Sequence, residues 1–455
     1  MEASLTQFAP RQGLTQDDLL APFYDALKPA SAWKVGTEAE KFGLLEDTLA
    51  PLPYEGARSV QAVLNALAAR FGWTPESEYK GGEVIALKRG QASITLEPGA
   101  QLELSGAPFT SIHDTHAEWT EHLAELHAVG AALGIAWLGL GFHPFAHQSD
   151  LPWVPKLRYG IMREYLPRRG GMGLDMMRRT CTVQANLDYA SEDDAMRKLR
   201  VALALSPVLT AMFANSPFYE GKLNGERTQR GLVWLDTDPD RTGLLPFLWD
   251  DGASFARYVE WALDVPMFMV KREAKIVHNT GQTFRAFMRD GYGGTHATQD
   301  DWVVHLGTLF PEVRLKRTIE LRGADSQSSA LTPALGALAK GLYYDAQALH
   351  EAEALAAQLT FEQAEGARRE IARHGLAAQL AGQPVQSWAE QLVDIARGGL
   401  LRLHAATPDP RGDETRYLDP LAALVTRGDT PADAILRALD PARPLAPQVV
   451  TLARL

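Results

Sequence analysis

The sequence predicts an α+β fold, a curved sheet flanked by helices with a helical part at the C-terminal end. Two observations carry this reading. Short segments in which apolar and polar residues alternate strictly recur through the first three quarters of the chain, and the last quarter has helical periodicity almost throughout. Strands are expected at Trp33 to Leu44, Glu83 to Arg89, Ala92 to Glu97, Gln101 to Ser105, Thr180 to Asp188, Gly231 to Asp236 and Leu315 to Arg322. Ser111 to Leu133 reads as a helix stopped by Gly134, and Ile135 to Phe142 as the buried strand that follows. Ser191 is placed to cap a helix over Ala195 to Ala214, which Asn215-Ser-Pro217 ends. Asp290 to Asp301 reads as a loop. Beyond Leu331 the Ala- and Leu-rich windows Ala334 to Glu353, Thr360 to His374 and Trp388 to His404 read as helices, before a turn at Thr407 to Asp413. The expected division is a core over 1–345 and a helical extension over 346–455 packed on it.

With 46% hydrophobic and 22% charged residues in 455, the chain can bury a large core, which excludes disordered and fibrous classes. Its 45 Lys and Arg against 56 Asp and Glu give a formal charge of -11, so a nucleic-acid partner is not expected. The single cysteine, Cys181, forms no intramolecular disulfide, and Met1 to Arg11 has neither a signal-peptide nor a transit pattern; the cytoplasm is the expected location. The apolar stretch Ala128 to Phe142 is short of the roughly 20 residues that span a bilayer, so no membrane association is expected.

Chemistry is carried by acids on alternating segments. In Gly36-Thr-Glu38-Ala-Glu40-Lys-Phe42, Glu38 and Glu40 share one face about 6.6 Å apart along a strand, and two like charges there call for a cation. Thr95-Leu-Glu97-Pro-Gly-Ala-Gln101-Leu-Glu103 reads as a hairpin that brings Glu97 and Glu103 together. Thr182-Val-Gln184-Ala-Asn186-Leu-Asp188 lines up amides and an acid opposite Val183, Ala185 and Leu187, and Lys316, Thr318, Glu320 and Arg322 share another polar face. One curved sheet could gather all four on a polar concave side, where hard oxygen donors suit Mg²⁺ or Mn²⁺. Between Lys156 and Arg179 there are seven Lys and Arg, a patch suited to phosphates or carboxylates. Arg230, Trp234 and Asp236 would share one strand face, with Arg241 closing the Asp-rich turn. Competing motifs are missing. There is no Walker loop, no GxSxG elbow and no zinc spacing among His113, His116, His122, His143 and His147.

Five segments together resemble the plant-type glutamate–cysteine ligases of plants and proteobacteria. They are Gly36-Thr-Glu-Ala-Glu-Lys-Phe-Gly43, Leu96-Glu-Pro-Gly-Ala-Gln-Leu-Glu-Leu-Ser-Gly106, Gly173-Leu-Asp-Met-Met with Arg179-Thr-Cys-Thr-Val-Gln-Ala-Asn-Leu-Asp188, Asp236-Thr-Asp-Pro-Asp-Arg-Thr-Gly243, and Phe310 to Asp325. The resemblance runs in order from Trp33 to at least Leu342. It implies a glutamine synthetase-like fold, a mainly antiparallel sheet funnel, and ATP-dependent joining of the γ-carboxylate of L-glutamate to the amine of L-cysteine through γ-glutamyl phosphate, the first step of glutathione synthesis. Carried over, it implies metal ligands Glu38, Glu40, Glu97, Glu103 and Glu320 for Mg²⁺ or Mn²⁺. Arg314, Lys316 and Arg322 would face ATP phosphates, with Arg322, Lys316 and Arg230 serving catalysis. Arg179 and Arg230 would take the glutamate carboxylates, with Gln184, Asn186, Trp234, Asp236 and Arg241 also on the substrate side; Asp236 and Asp188 are offered as proton acceptors. The implied partners are small molecules, and the implied assembly is a monomer or weak homodimer. A related carboxylate–amine ligase using another amine, and an inactive scaffold with the same fold, are the competing readings.

Overall fold

Alternation along Val35–Leu45 makes it an eleven-residue strand, β1, long enough to serve three neighbours. The remaining strands of its sheet are β2 (Thr74–Ser77), β3 (Val84–Arg89), β4 (Ala92–Leu96), β5 (Leu102–Ser105), β6 (Ile135–Leu138), β7 (Thr182–Leu187), β8 (Val313–Leu315) and β9 (Ile319–Asp325). They are ordered β8-β9-β7-β1-β5-β4-β3-β2, and every pair is antiparallel. β5 pairs with Glu38 to Lys41 of β1 and β6 continues along Phe42 to Leu45, while β7 takes the other edge. This computed structural model describes residues 13–79, 81–272 and 275–455, so the expectation placed on Met1 to Arg11 lies outside the described residues.

The apolar side of the alternation is buried as expected: Ala39, Leu104, Val183, Ala185, Leu187, Ile319 and Leu321 are all at most 4% exposed. Truncating one such leucine to alanine costs about 2–5 kcal/mol in a close-packed core. The helices that the site argument uses are α1 (Ile112–Leu133), α2 (Leu157–Tyr165), α3 (Gly173–Arg179), α4 (Glu192–Met212), α5 (Gln229–Trp234), α6 (Gln299–Leu306), α7 (Thr332–Tyr343), α8 (Ala346–Ala356), α9 (Phe361–His374) and α10 (Val385–Ala406). α4 packs on β9 and α7 on β7 and β1, closing the apolar face; α10 then packs on α7, α8 and α4, and α9 on α4. The cap read from sequence holds, since Ser191 accepts from Asp194 N–H, and Ser111 and Thr360 cap their helices in the same way by accepting from His113 N–H and Gln363 N–H.

Four expectations are corrected. Gly231 to Asp236 is not a strand: Thr228 caps a helical turn by accepting from Gly231 N–H, and Gln229–Trp234 becomes α5. Leu315 to Arg322 is the hairpin β8–β9, since Lys316 N–H bonds back to the Thr318 carbonyl and breaks the run. The strand begun at Ile135 stops at Leu138, because the backbone at Gly139 is pressed against the Gln327 carbonyl, where a Cβ would collide. The Asp290 to Asp301 loop also contains the start of α6, capped by Thr298.

Candidate active site

Strand register assembles the polar face. Glu40 lies opposite Glu103, Glu38 opposite Gln184, Asn186 opposite Glu320, and Glu320 opposite Arg314. Cross-strand partners stand about 5 Å apart, so residues from five strands form one continuous band. A cavity of about 500 Å³ opens over it, lined by Glu38, Glu40, Glu97, Glu103, Gln184, Arg230, Trp234, Arg314, Lys316 and Arg322 among others.

At one end three carboxylates converge. Oxygens of Glu40, Glu97 and Glu103 lie within 4.8 Å of one another. Thr95 Oγ1 (2.6 Å) and Ser105 Oγ (3.1 Å) donate to Glu103, and Thr182 N–H donates to Glu40 (2.9 Å). Glu97 is presented by its turn, which Gln101 fixes from below: its Oε1 accepts from Gly99 N–H, and its Nε2 donates to the Met177 and Thr180 carbonyls of α3 and its cap. Burial, together with Glu97 and Glu103 nearby, pushes the Glu40 carboxyl well above the usual range. Burial and the charges of Glu103 and Glu320 push Glu38 up to about 7, although Asn186 Nδ2 donates to it at 2.9 Å. Carboxylate oxygens crowded this closely form a set that fits a divalent cation.

At the other end the charge reverses. Glu320 is 3% exposed and bound by Arg314 Nε (2.6 Å) and Lys316 Nζ (2.7 Å), with Arg322 Nη1 at 3.6 Å. Burial alone would raise its pKa, but these three cations hold it down to about 2. Arg322 also donates to Gln184 Oε1 at 3.0 Å. Arg230 and Trp234 face the cavity because they are four apart on helix α5, where side chains at i and i+4 share a face. Arg158, exposed at the rim on α2, is a further cation there that the sequence placed only in a general basic patch. A third wall is apolar: Phe268, Met269, Ile276, Val303, Val304 and Phe310. Apart from Phe310, which opens the Phe310 to Asp325 segment, no motif announced these residues. The others come from α6, from a hairpin (Met269–Arg272 with Lys275–His278) and from the segment before it, which only the tertiary fold brings to the sheet.

Several expected site residues lie elsewhere. Glu320 does not join the acid trio; its cross-strand and i+4 partners are basic and claim both of its oxygens. Asn186 stands behind Glu38 as its hydrogen-bond donor. Arg179 is 1% exposed, lies against the stacked rings of Phe142 and Tyr219 and is paired with Asp175 and Glu220, and it does not line the cavity. Arg241 is fully buried and locked to Asp238 at 2.6 Å. Asp236 leaves the end of α5 toward solvent and accepts from Gly171 N–H, and Asp188 is taken by Lys28 Nζ at 2.6 Å. Cys181 is fully buried in a second apolar cluster with Phe42, Leu138 and Phe218, apart from the cluster of Val183, Ala185 and Leu187, and burial raises its thiol pKa.

The profile of glutamate-cysteine ligase family 2 (GCS2) matches residues 34–450. The chain is 45% identical over 427 residues to the chloroplastic glutamate–cysteine ligase B of Oryza sativa subsp. japonica, covering 93% of this chain and 84% of that one. It is 44% identical over the same length to the chloroplastic glutamate–cysteine ligase of Arabidopsis thaliana, covering 79% of that protein. Among solved structures, the glutamate–cysteine ligase of Francisella tularensis in complex with AMP superposes with a TM-score of 0.53 at 12% identity, over 92% of this chain and 87% of that chain. A bifunctional glutathione synthetase from Pasteurella multocida gives 0.52 at 14%, over 96% of this chain and 53% of that one. At such identities these two show the shared fold, the glutamine synthetase-like class that the sequence led us to expect. The cytoplasmic expectation is overturned: the similar ligases carry chloroplastic names, and the expectation is withdrawn.

Proposed function

Since the chain belongs to glutamate-cysteine ligase family 2 and is a ligase joining glutamate to cysteine in glutathione synthesis, we propose that the cavity over the polar face of the sheet is where ATP drives that reaction. The observation that carries the assignment is the opposition of charge in one cavity, an acid trio at one end and Arg314, Lys316 and Arg322 at the other. Forming an acyl phosphate sets a carboxylate oxygen against a γ-phosphoryl group that already bears several negative charges, so a site that performs it needs cations on both reactants.

Glu40, Glu97 and Glu103, with Glu38 beside them, are the residues that would hold Mg²⁺ or Mn²⁺, which when bound neutralises charge on phosphate and carboxylate oxygens. Arg314, Lys316 and Arg322 are assigned to the ATP phosphates; each donor aimed at developing charge is worth about 3–4 kcal/mol in comparable sites. The wall of Phe268, Ile276 and Val304 offers an apolar surface for the adenine base. Arg230, whose ion-pair partner Asp325 stands back at 4.0 Å, and Arg158, with no carboxylate ion pair among the described residues, are assigned to the carboxylates of glutamate. Gln184 orients Arg322. No covalent enzyme intermediate is required. Residues 346–455 serve in this reading as a buttress for the core, through α10 on α7.

Two tests follow. Arg230→Ala is expected to raise the KM for glutamate at least tenfold with kcat within a fewfold, because a carboxylate held alike in ground and transition states is uniform binding. A raised KM for ATP with that for glutamate unchanged would move Arg230 to the nucleotide.

The second concerns metal and pH. A carboxyl whose pKa is raised on folding keeps its proton where the unfolded chain has lost it, so Glu38 costs the metal-free protein stability as pH rises from about 4.5 through about 7, and Glu40, held well above the ordinary carboxyl range, adds to that cost. A cation removes that cost but must displace the protons. The rise in Tm caused by Mg²⁺ should therefore grow as pH rises above the ordinary carboxyl range. Burial lowers the pKa of His122, His143 and His305, whose effect on stability is the same with and without metal, so the difference isolates the acids. A Mg²⁺ effect independent of pH would contradict the assignment.

A further inference from the structure

Arg230 is 3% exposed, and its orientation is set from behind by a group outside the cavity. The β7–β9 ladder slips between Leu321 and Ala324, and this bulge frees the Arg322 carbonyl to accept from Arg230 Nη2 at 2.8 Å. Arg230 Nη1 lies 4.0 Å from Asp325 Oδ1. Asp325, 1% exposed, also accepts from Asn215 N–H (2.8 Å), Ser216 Oγ (2.7 Å) and Thr228 Oγ1 (3.0 Å). Those two hydroxyls in turn define the start of α5. Ser216 Oγ accepts from Arg230 N–H at 3.2 Å, and Thr228 Oγ1 caps the helix by accepting from Gly231 N–H at 2.9 Å. The chain makes room for this carboxylate at Gly141, where a Cβ would collide with it.

One buried charge thus fixes both the backbone that carries Arg230 and the guanidinium itself. We propose that Asp325 is a positioning residue for the reaction, acting through Arg230: it holds the guanidinium toward the cavity by charge and by the Ser216–Thr228 hydroxyl pair. This rests on the reading of Arg230 as the glutamate-carboxylate site. Asparagine at 325 cannot reproduce the arrangement. Its amide nitrogen would face either the Asn215 N–H or the Arg230 guanidinium, a donor against a donor in both cases.

The test is a double-mutant cycle of Asp325→Asn and Arg230→Ala, read in steady-state constants for glutamate and ATP. Asp325→Asn alone should raise the glutamate KM tenfold or more, with kcat within threefold and the ATP KM unchanged. On the Arg230→Ala background it should add less than twofold. A merely structural role would multiply the two effects, and that result, or an unmoved KM in folded Asp325→Asn, would overturn the proposal. If Asp325→Asn does not fold, Ser216→Ala takes its place: a rise in glutamate KM that vanishes on the Arg230→Ala background supports the proposal, and an equal rise on both refutes it. If Arg230→Ala leaves the glutamate KM unchanged, the carboxylate reading falls, while non-additivity in whichever constant Arg230→Ala does move still decides the role of Asp325.

Discussion

Glu40→Gln is expected to lower turnover at saturating substrates by at least a hundredfold while the protein remains folded. Glutamine keeps the size of the side chain and an oxygen for the Thr182 N–H, but it removes the central charge of the trio with Glu97 and Glu103. A hundredfold is about 2.7 kcal/mol of lost stabilisation, within the range seen when one preorganised electrostatic contact is deleted. Stability should hold or rise, since Glu40 is buried among like charges in the metal-free protein. Turnover measured across a Mg²⁺ titration, beside a thermal melt, checks both halves. Near-normal turnover would remove Glu40 from the machinery.

Replacement of Glu320 by glutamine should do damage of another kind. Its carboxylate is the shared partner of Arg314, 8% exposed, and of Lys316, with Arg322 close by. Breaking a buried ion pair from one side leaves an uncompensated buried charge, at a cost of about 3–5 kcal/mol. The sign with pH is opposite to that of Glu38. Because the folded pKa is depressed, the stability that Glu320 contributes is fully present above the ordinary carboxyl range and is lost as pH falls toward about 2. The deficit of Glu320→Gln in urea denaturation should therefore be constant near neutrality and shrink in acid. A loss below about 1 kcal/mol at neutral pH would show that the cluster carries little stability.

The two glutamates illustrate what could be read from the chain. Alternation placed Glu38, Glu40 and Glu103 on one polar face, and the Pro98-Gly99 turn delivered Glu97 beside them, because a period of two and a hairpin are local properties. Alternation also put Glu320 on the same side, but its partner depends on register. Only the pairing of β8 with β9 shows that Arg314 stands opposite it. Arg230 and Trp234 were grouped correctly for the wrong reason: they are four apart on a helix, and the mistaken strand carried Asp236 along with them. The resemblance implies Arg179 and Arg241 on the substrate side, but the structure buries both. Sequence does not reveal that each is spent inside the core on an acid a few residues away. The apolar wall of the cavity, from Phe268 to Val304, was invisible because its residues belong to no periodic segment that includes the acids.

The central claim, that this cavity spends ATP to join glutamate to cysteine, is tested most directly by ADP release with glutamate present, scanned across candidate amines and matched against amide product. The account predicts release that requires glutamate, is fastest with cysteine and equals the γ-glutamylcysteine formed. Equal or faster release with another amine, accompanied by its γ-glutamyl product, would contradict it.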